Sequence, residues 1–219
     1  MSVKILELDE LKKEAKVFCE FMRNENHETL LGVTDGKAVG TYVEHRFQKY
    51  LKSKYALEIG GSAKGIDLPG ADIQTDIKAT SIAQPQSSCP FKNARQKIFG
   101  LGYNLLVFVY DKKDTAGRCT LDFKYCTFID QDRTADFTTT KRLREMLDDG
   151  ANKEDIIAFL ADKNLPGDDI VYHQLAEEIL SHKPRQGYLT MSNALQWRLQ
   201  YGRVIALANK VDGVLNYVW

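Results

Sequence analysis

No excess of charge of either sign marks this chain. Its 219 residues carry 30 Lys and Arg against 30 Asp and Glu, a formal net charge of zero at pH 7. A protein that coats nucleic acid regardless of sequence needs a basic surface, so that class is disfavoured. A local basic cleft balanced by an acidic remainder is still open. Cysteine is scarce: Cys19, Cys89, Cys119 and Cys126 form no Cys-x-x-Cys pair, which argues against a zinc knuckle. Reduced thiols are expected, with Cys119 and Cys126 as small packing residues of one strand region. His27, His45, His173 and His182 include no pair at metal-ligand spacing, so a histidine-built metal centre is disfavoured. No apolar run approaches the ~20 residues that span a bilayer. Met1 to Glu10 holds no apolar core of signal-peptide length, and a cytoplasmic location is expected. Repeats and low-complexity segments are missing as well.

What is present is ordinary in bulk. A hydrophobic content of 43% and a charged content of 27% suit a globular protein, and the length allows one substantial core with a smaller appendage. Asp9 to Arg23 reads as an amphipathic helix and Lys37 to Tyr55 as a second, with Val39, Val43, Phe47, Tyr50 and Leu51 on its apolar stripe. A helix from Pro90 to about Leu101, capped by Ser88 or Cys89, follows a polar loop. Asn104 to Tyr110 is nearly all apolar and reads as a strand covered on both faces. Arg118 to Ile129 reads as a further strand, with Leu121, Phe123 and Tyr125 on one side of it. Helices are then expected over 138–149, 152–163, 169–181 and 190–210, the last with Leu195, Leu199, Ile205 and Leu207 facing a core. The order predicts an α/β fold with a mixed central sheet flanked by helices and a helical C-terminal part. The expected division is a catalytic core over residues 1–135 and a helical part over 136–219, packed on the same domain and serving DNA binding or dimerisation.

The most informative segment runs from Gly65 to Ser81. An acid, Asp67, precedes a Pro69-Gly70 turn; Asp76-Ile77-Lys78 follows within an alternating strand. Ile73, Thr75 and Ile77 are expected on one face, with Asp72, Gln74, Asp76 and Lys78 on the other. Carboxylates and an amine aligned on one strand face need a partner if they are buried. A divalent ion held by Asp67 and Asp76, with Lys78 beside it, would be one. It would polarise a phosphoryl oxygen and acidify water, while the lysine orients that water or offsets developing charge, an arrangement suited to phosphodiester hydrolysis. Turn geometry leaves a choice. A tight turn at Pro69-Gly70 places Asp67 opposite Asp72, whereas a wider loop brings it to Asp76. Asp72 and Asp76 are ~13 Å apart on one strand and do not share an ion, so Asp67 is the expected ligand and Asp72 its substitute.

Asp67 with Asp76-Ile77-Lys78 resembles the PD-(D/E)XK nuclease superfamily. Gly36 to Glu44 resembles the helix that supplies a third acid in many of its members. The pattern around the motif is similar to the methyl-directed mismatch-repair nicking endonuclease and its restriction-enzyme relatives, and the resemblance covers roughly Gly36 to Asp111. It departs from the common pattern at Ile66, where proline is frequent, and at Asp76, where glutamate is commoner. The resemblance implies a restriction-endonuclease-like fold and a Mg2+ ion, replaceable by Mn2+, on Asp67, Asp76, the carbonyl of Ile77 and Glu44. It further implies Lys78, Asp76, Asp67 and Glu44 as catalytic residues. By its position alone Glu44 is an ordinary glutamate at a stripe edge; the motif downstream is what makes it a candidate.

Acid-x-Lys is a weak pattern by itself. Asp111, a turn at 115–117 and Asp122-Phe123-Lys124 form a rival, disfavoured because the earlier motif follows an acid-bearing helix and precedes a helix and an apolar strand. Candidate DNA contacts are Gln84, Gln86, Ser87 and Ser88 in the loop leaving the strand, Lys92 and Arg95 on the basic helix after it, and Arg185 and Gln186 in the linker over 183–188. Arg and Gln can pair bidentately with base edges, although a plain connection is the preferred reading of that linker. The leading expectation is a Mg2+-dependent type II restriction endonuclease cutting double-stranded DNA at a short specific site, paired in function with a DNA methyltransferase. The alternatives are a nicking repair or recombination nuclease and a non-catalytic DNA-binding module. A homodimer is expected because two-fold symmetry puts one active site on each strand, with Trp197, Tyr201, Tyr217 and Trp219 either as interface anchors or as residues that complete the core of the single chain.

Overall fold

A computed structural model of the chain describes residues 4–60, 65–191 and 198–218. The chain divides into two compact units. The first comprises residues 1–87, 103–130 and 200–219; the second comprises 88–102 and 131–199.

The first unit is built on a mixed sheet. Its strands are β3 (Thr75–Ser81), β5 (Asn104–Thr115), β6 (Arg118–Ile129) and β9 (Val214–Asn216), in the order β3-β5-β6-β9. β3 runs parallel to β5 with Asp76 opposite Leu105 and Lys78 opposite Val107, while β5–β6 and β6–β9 are antiparallel. Every residue of β5 from Leu105 to Tyr110 is buried, as expected of a strand covered on both faces. Strand β6 is less regular than strict alternation predicts. Val109 pairs with Tyr125 and Tyr110 with Phe123, leaving Lys124 unopposed. This bulge flips the parity of the strand. Leu121 and Phe123 face the main core before it, and Cys126 and Phe128 after it, while Tyr125 is only half-buried.

Two long helices cover one face of this sheet. In α1 (Leu8–Asn24), Leu11, Ala15, Phe18 and Met22 recur at helical spacing and are all fully buried. Helix α2 (Gly36–Lys52) is capped by Asp35, whose carboxylate accepts the Lys37 amide at 3.0 Å. It ends earlier than the apolar pattern suggests, because Tyr55–Ala56 forms a short strand, β2, parallel to β1 (Lys4–Ile5). Phe18, Phe47, Phe108 and Phe123 meet in the core, with Phe47 and Phe108 edge to face at 5.1 Å between centroids.

The second unit packs α3 (Ala94–Phe99), α4 (Phe137–Asp148), α5 (Lys153–Asp162) and α6 (Asp169–Ser181) around Ile98, Leu143, Ile156, Leu160, Leu175 and Ile179. Helix α3 begins later than expected. Pro90 lies outside it, and Asn93 is the cap, accepting the Gln96 amide at 2.9 Å. Asn152 and Asp155 cap α5 reciprocally. The helix expected over 190–210 is not formed. Thr190–Met191 (β7) and Arg198–Gln200 (β8) are extended, as is Gln86–Ser88 (β4) earlier in the chain, and among the described residues of that stretch only Gly202–Leu207 (α7) is helical; Leu195 lies outside the described residues. Among the described residues, no helix is long and apolar enough to cross a membrane.

Candidate active site

Local chain geometry decides which acids meet. After Pro69 the chain reverses through a turn in which the amides of Ile73 and Gln74 both donate to the Gly70 carbonyl, at 2.9 and 2.8 Å. Gln74 takes a positive φ of 32°, a conformation that L-residues seldom adopt. Asn104, the first residue of β5, pins this turn: its side-chain amide donates to the Ile73 carbonyl at 2.9 Å, and its backbone amide to Gln74 at 2.8 Å. The strand proper therefore starts at Thr75 rather than Asp72. Leu68 and Thr75 exchange a pair of 3.0 Å backbone bonds. That single bridge brings Asp67 beside Asp76, and Asp72 is left exposed in the turn.

Helix α2 faces the same strand with Gly40, Glu44 and Gln48, each one turn beyond the last. Gly40 permits the approach. A Cβ there would stand 2.9 Å from the Ala79 carbonyl oxygen, closer than two such atoms pack. One turn on, the Glu44 carboxylate accepts the Ala79 amide. A further turn on, Gln48 donates to Asp67 Oδ1 at 3.0 Å, and Asp67 Oδ2 accepts the Ile77 amide at 2.9 Å. Asp76 is hydrogen-bonded to Asp67 and, at 2.7 Å, to Lys78 Nζ. Sequence reasoning gathered Glu44, Asp67, Asp76 and Lys78 and missed Gln48. Its signal was the four-residue step from Glu44, which places both on one helix face.

Three carboxyls thus surround one ammonium. Asp76 is only 5% exposed, and burial pushes it up to about 6, the negative charge of Asp67 adding to a rise that Lys78 opposes. Glu44 is pushed up to about 7, by burial first, with Asp67 and Asp76 raising it further against the pull of Lys78. Lys78 is itself raised; its burial is outweighed by the three acids, Asp76 foremost. The ensemble holds more negative charge than its lysine balances, the usual signature of a site built to receive a cation. Among the described residues, no three Asp, Glu, His or Cys side chains already stand at ligand spacing. The gathered donors are two contacting carboxylates, a nearby third and the strand backbone, a hard oxygen set that fits Mg2+ or Mn2+ rather than zinc.

A family model described as type II restriction enzyme NspV matches residues 5–216. The chain is also 54% identical over 214 residues to the type II restriction enzyme NspV of Nostoc sp. (strain ATCC 29411 / PCC 7524), covering 97% of this chain and 96% of that protein. The chain belongs to the NspV family of type II restriction enzymes. No solved structure matches it.

In this NspV-family chain the rival hairpin is electrostatically the opposite of the buried site. Lys124 pairs with Asp122 at 2.5 Å and Arg23 reaches the same carboxylate at 2.8 Å. Lys124, more than any other group, holds Asp122 below its ordinary value, as expected of a satisfied ion pair near water.

The expected DNA contacts are placed variously. Gln84, Ser88 and Lys92 are exposed, and Gln86 is half-buried. The Ser87 hydroxyl bonds the Tyr201 hydroxyl at 2.7 Å. Arg95 forks onto Glu178 through Nε and Nη2, and Arg185 holds Asp132 at 2.7 Å. Gln186 is turned inward, its amide donating to Phe137 and Gly187 carbonyls and to Thr140. Tyr201 is fully buried within the chain, which corrects its expected role as an interface anchor. Tyr217 is half-buried against the main core, and Trp197 and Trp219 lie outside the described residues.

Proposed function

We propose that this chain is a Mg2+-dependent type II restriction endonuclease of the PD-(D/E)XK superfamily, cutting double-stranded DNA at a short specific site. The observation that carries the mechanism is the convergence of Asp67, Asp76 and Lys78 at the head of β3, with Glu44 facing them from α2. Family membership supports the reaction class. Asp67, Asp76 and the Ile77 carbonyl would hold the cation, with Glu44 at its edge. When bound, the ion would supply Lewis-acid charge to the scissile phosphate and to the attacking water.

The chain's own groups do the rest. Lys78 offers an ammonium fixed by Asp76, able to donate to the attacking water or to a phosphate oxygen as negative charge builds there. Burial of Asp76 keeps the surroundings of low polarity, which strengthens that interaction. Glu44, held above the ordinary carboxylate range by burial in the ion-free site, would be drawn to its ionised form by the cation beside it. Lys92, Gln84, Gln86 and Ser88 would supply backbone or base contacts. Arg95 and Arg185 would exchange their carboxylates for phosphates, a trade between charge-assisted bonds of similar kind. We propose a homodimer as the acting form, since one such site serves one strand.

Incubating plasmid DNA with the full chain and Mg2+, then sequencing the ends, tests the reading. Linear products with ends at one fixed short sequence are expected. Nicked circles alone would indicate a nicking enzyme, and uncut DNA a binding module.

A further inference from the structure

Asp67 is held more firmly than a metal ligand on a loop need be. A carboxylate offers about four lone-pair positions. Two are occupied by fixed donors, the Ile77 amide on Oδ2 and the Gln48 side-chain amide on Oδ1, and Asp76 meets the same carboxyl. The Ile77 bond alone holds one oxygen and lets the carboxyl tilt about that contact. The second bond, from a different element, removes that freedom and leaves the lone pairs facing Asp76 for an ion the two acids would share. Gln48 itself is steadied by the helix that Gly40 lets settle onto Ala79. Its chemistry suits the place: the amide donates without bringing a cation that would compete for the site. A lysine there would neutralise it, and a glutamate would add a further carboxylate.

From this geometry we infer that Gln48 is a positioning residue that fixes the Asp67 carboxylate in the orientation presenting its free lone pairs to a divalent cation. The inference rests on the metal-site reading above and assigns Gln48 no contact with DNA or with the ion. Groups that orient a metal ligand in this way typically change affinity by roughly 10- to 100-fold when removed.

The test is Mn2+ binding to the full chain without DNA, followed by the loss of the free-ion electron paramagnetic resonance signal. Wild type is compared with Gln48→Met, which keeps length and bulk but loses the donor, and with Asp76→Asn. Gln48→Met is expected to bind Mn2+ roughly 10- to 100-fold more weakly at an unchanged thermal midpoint. The Mg2+ concentration for half-maximal cleavage should rise in step, while the rate at saturating Mg2+ falls far less. If Gln48→Met binds Mn2+ like wild type and Asp76→Asn does not bind, the role of Gln48 is overturned and the metal site stands. If Asp76→Asn binds like wild type, the metal site and this inference fall together. Weakened binding accompanied by a midpoint several degrees lower would mark Gln48 as a packing residue and count against positioning.

Discussion

Replacing Asp76 by Asn should abolish cleavage and yet make the metal-free protein more stable. Asp76 is 5% exposed and touches a second carboxyl. Its folded value of about 6 lies above the ordinary 3.8, so ionising it in the folded chain costs ~3 kcal/mol at pH 8. Asn keeps the shape and the hydrogen-bonding capacity but removes the charge. That cost is already net of the attraction of Lys78, which in the variant retains Asp67 and Glu44. A gain of up to ~3 kcal/mol corresponds to a rise of roughly 6–12 °C in midpoint for a chain of this size. The sign fixes the pH window. A raised carboxyl contributes its full stability below 3.8 and loses it as the pH climbs through 6. Thermal melts in chelator should therefore show the variant ahead at pH 8, with the gap closing towards pH 4.5. Adding Mn2+ should reverse the order at pH 8, because only wild type gains binding energy. A variant that melts below wild type in chelator at pH 8, or a gap indifferent to pH, would refute the claim that this site stores uncompensated negative charge.

Lys78→Ala should lower cleavage by at least 100-fold and leave DNA binding in Ca2+ largely intact, whereas Lys124→Met on the rival hairpin should cut at the wild-type rate; single-turnover assays on one plasmid separate the two. Because protons compete with the cation at Asp76 near 6 and at Glu44 near 7, the Mg2+ concentration for half-maximal cleavage should rise as the pH falls from 8 to 6, and a flat profile would count against these groups as ligands. Gly40→Ala should lower kcat, since the added methyl meets the Ala79 carbonyl at 2.9 Å and α2 must shift; cleavage at the wild-type rate would show that the site tolerates a displaced Glu44.

Most strands and helices around Asp76 were legible from local pattern, although acid-x-Lys is weak by itself and was singled out by the helix before it and the strand after it. The apolar run at Asn104, the alternation beginning at Arg118 and the motif at Asp76 needed no tertiary information. What sequence could not show was set by partners distant along the chain. The parity flip at Lys124 is visible only in the register with β5. The meeting of Asp67 with Asp76 depends on Asn104 pinning the turn from another strand. The helix expected over 190–210 failed because short extended segments, two or three residues long, carry too little pattern to compete with a helical periodicity. Gln48 went unread because an amide beside a glutamate on a half-exposed helix face looks like solvated surface. Tyr201, offered as an interface anchor, is held inside by Ser87, and nothing in its neighbours' composition announces that.

The path of the chain through its two units has a consequence for how the enzyme can be divided. The backbone leaves the first unit after residue 87, returns at 103, leaves again after 130 and returns at 200. A fragment stopping at 130 would keep every acid of the site but lose β9, which hydrogen-bonds to the far edge of β6, and would bare that edge to strand addition by another chain. Dissection by simple truncation would therefore yield sticky, incomplete sheets. Separating the halves would require re-joining the chain at both crossings, and those crossings fall within Gln86–Ser88 and Arg198–Gln200, which are themselves paired strands.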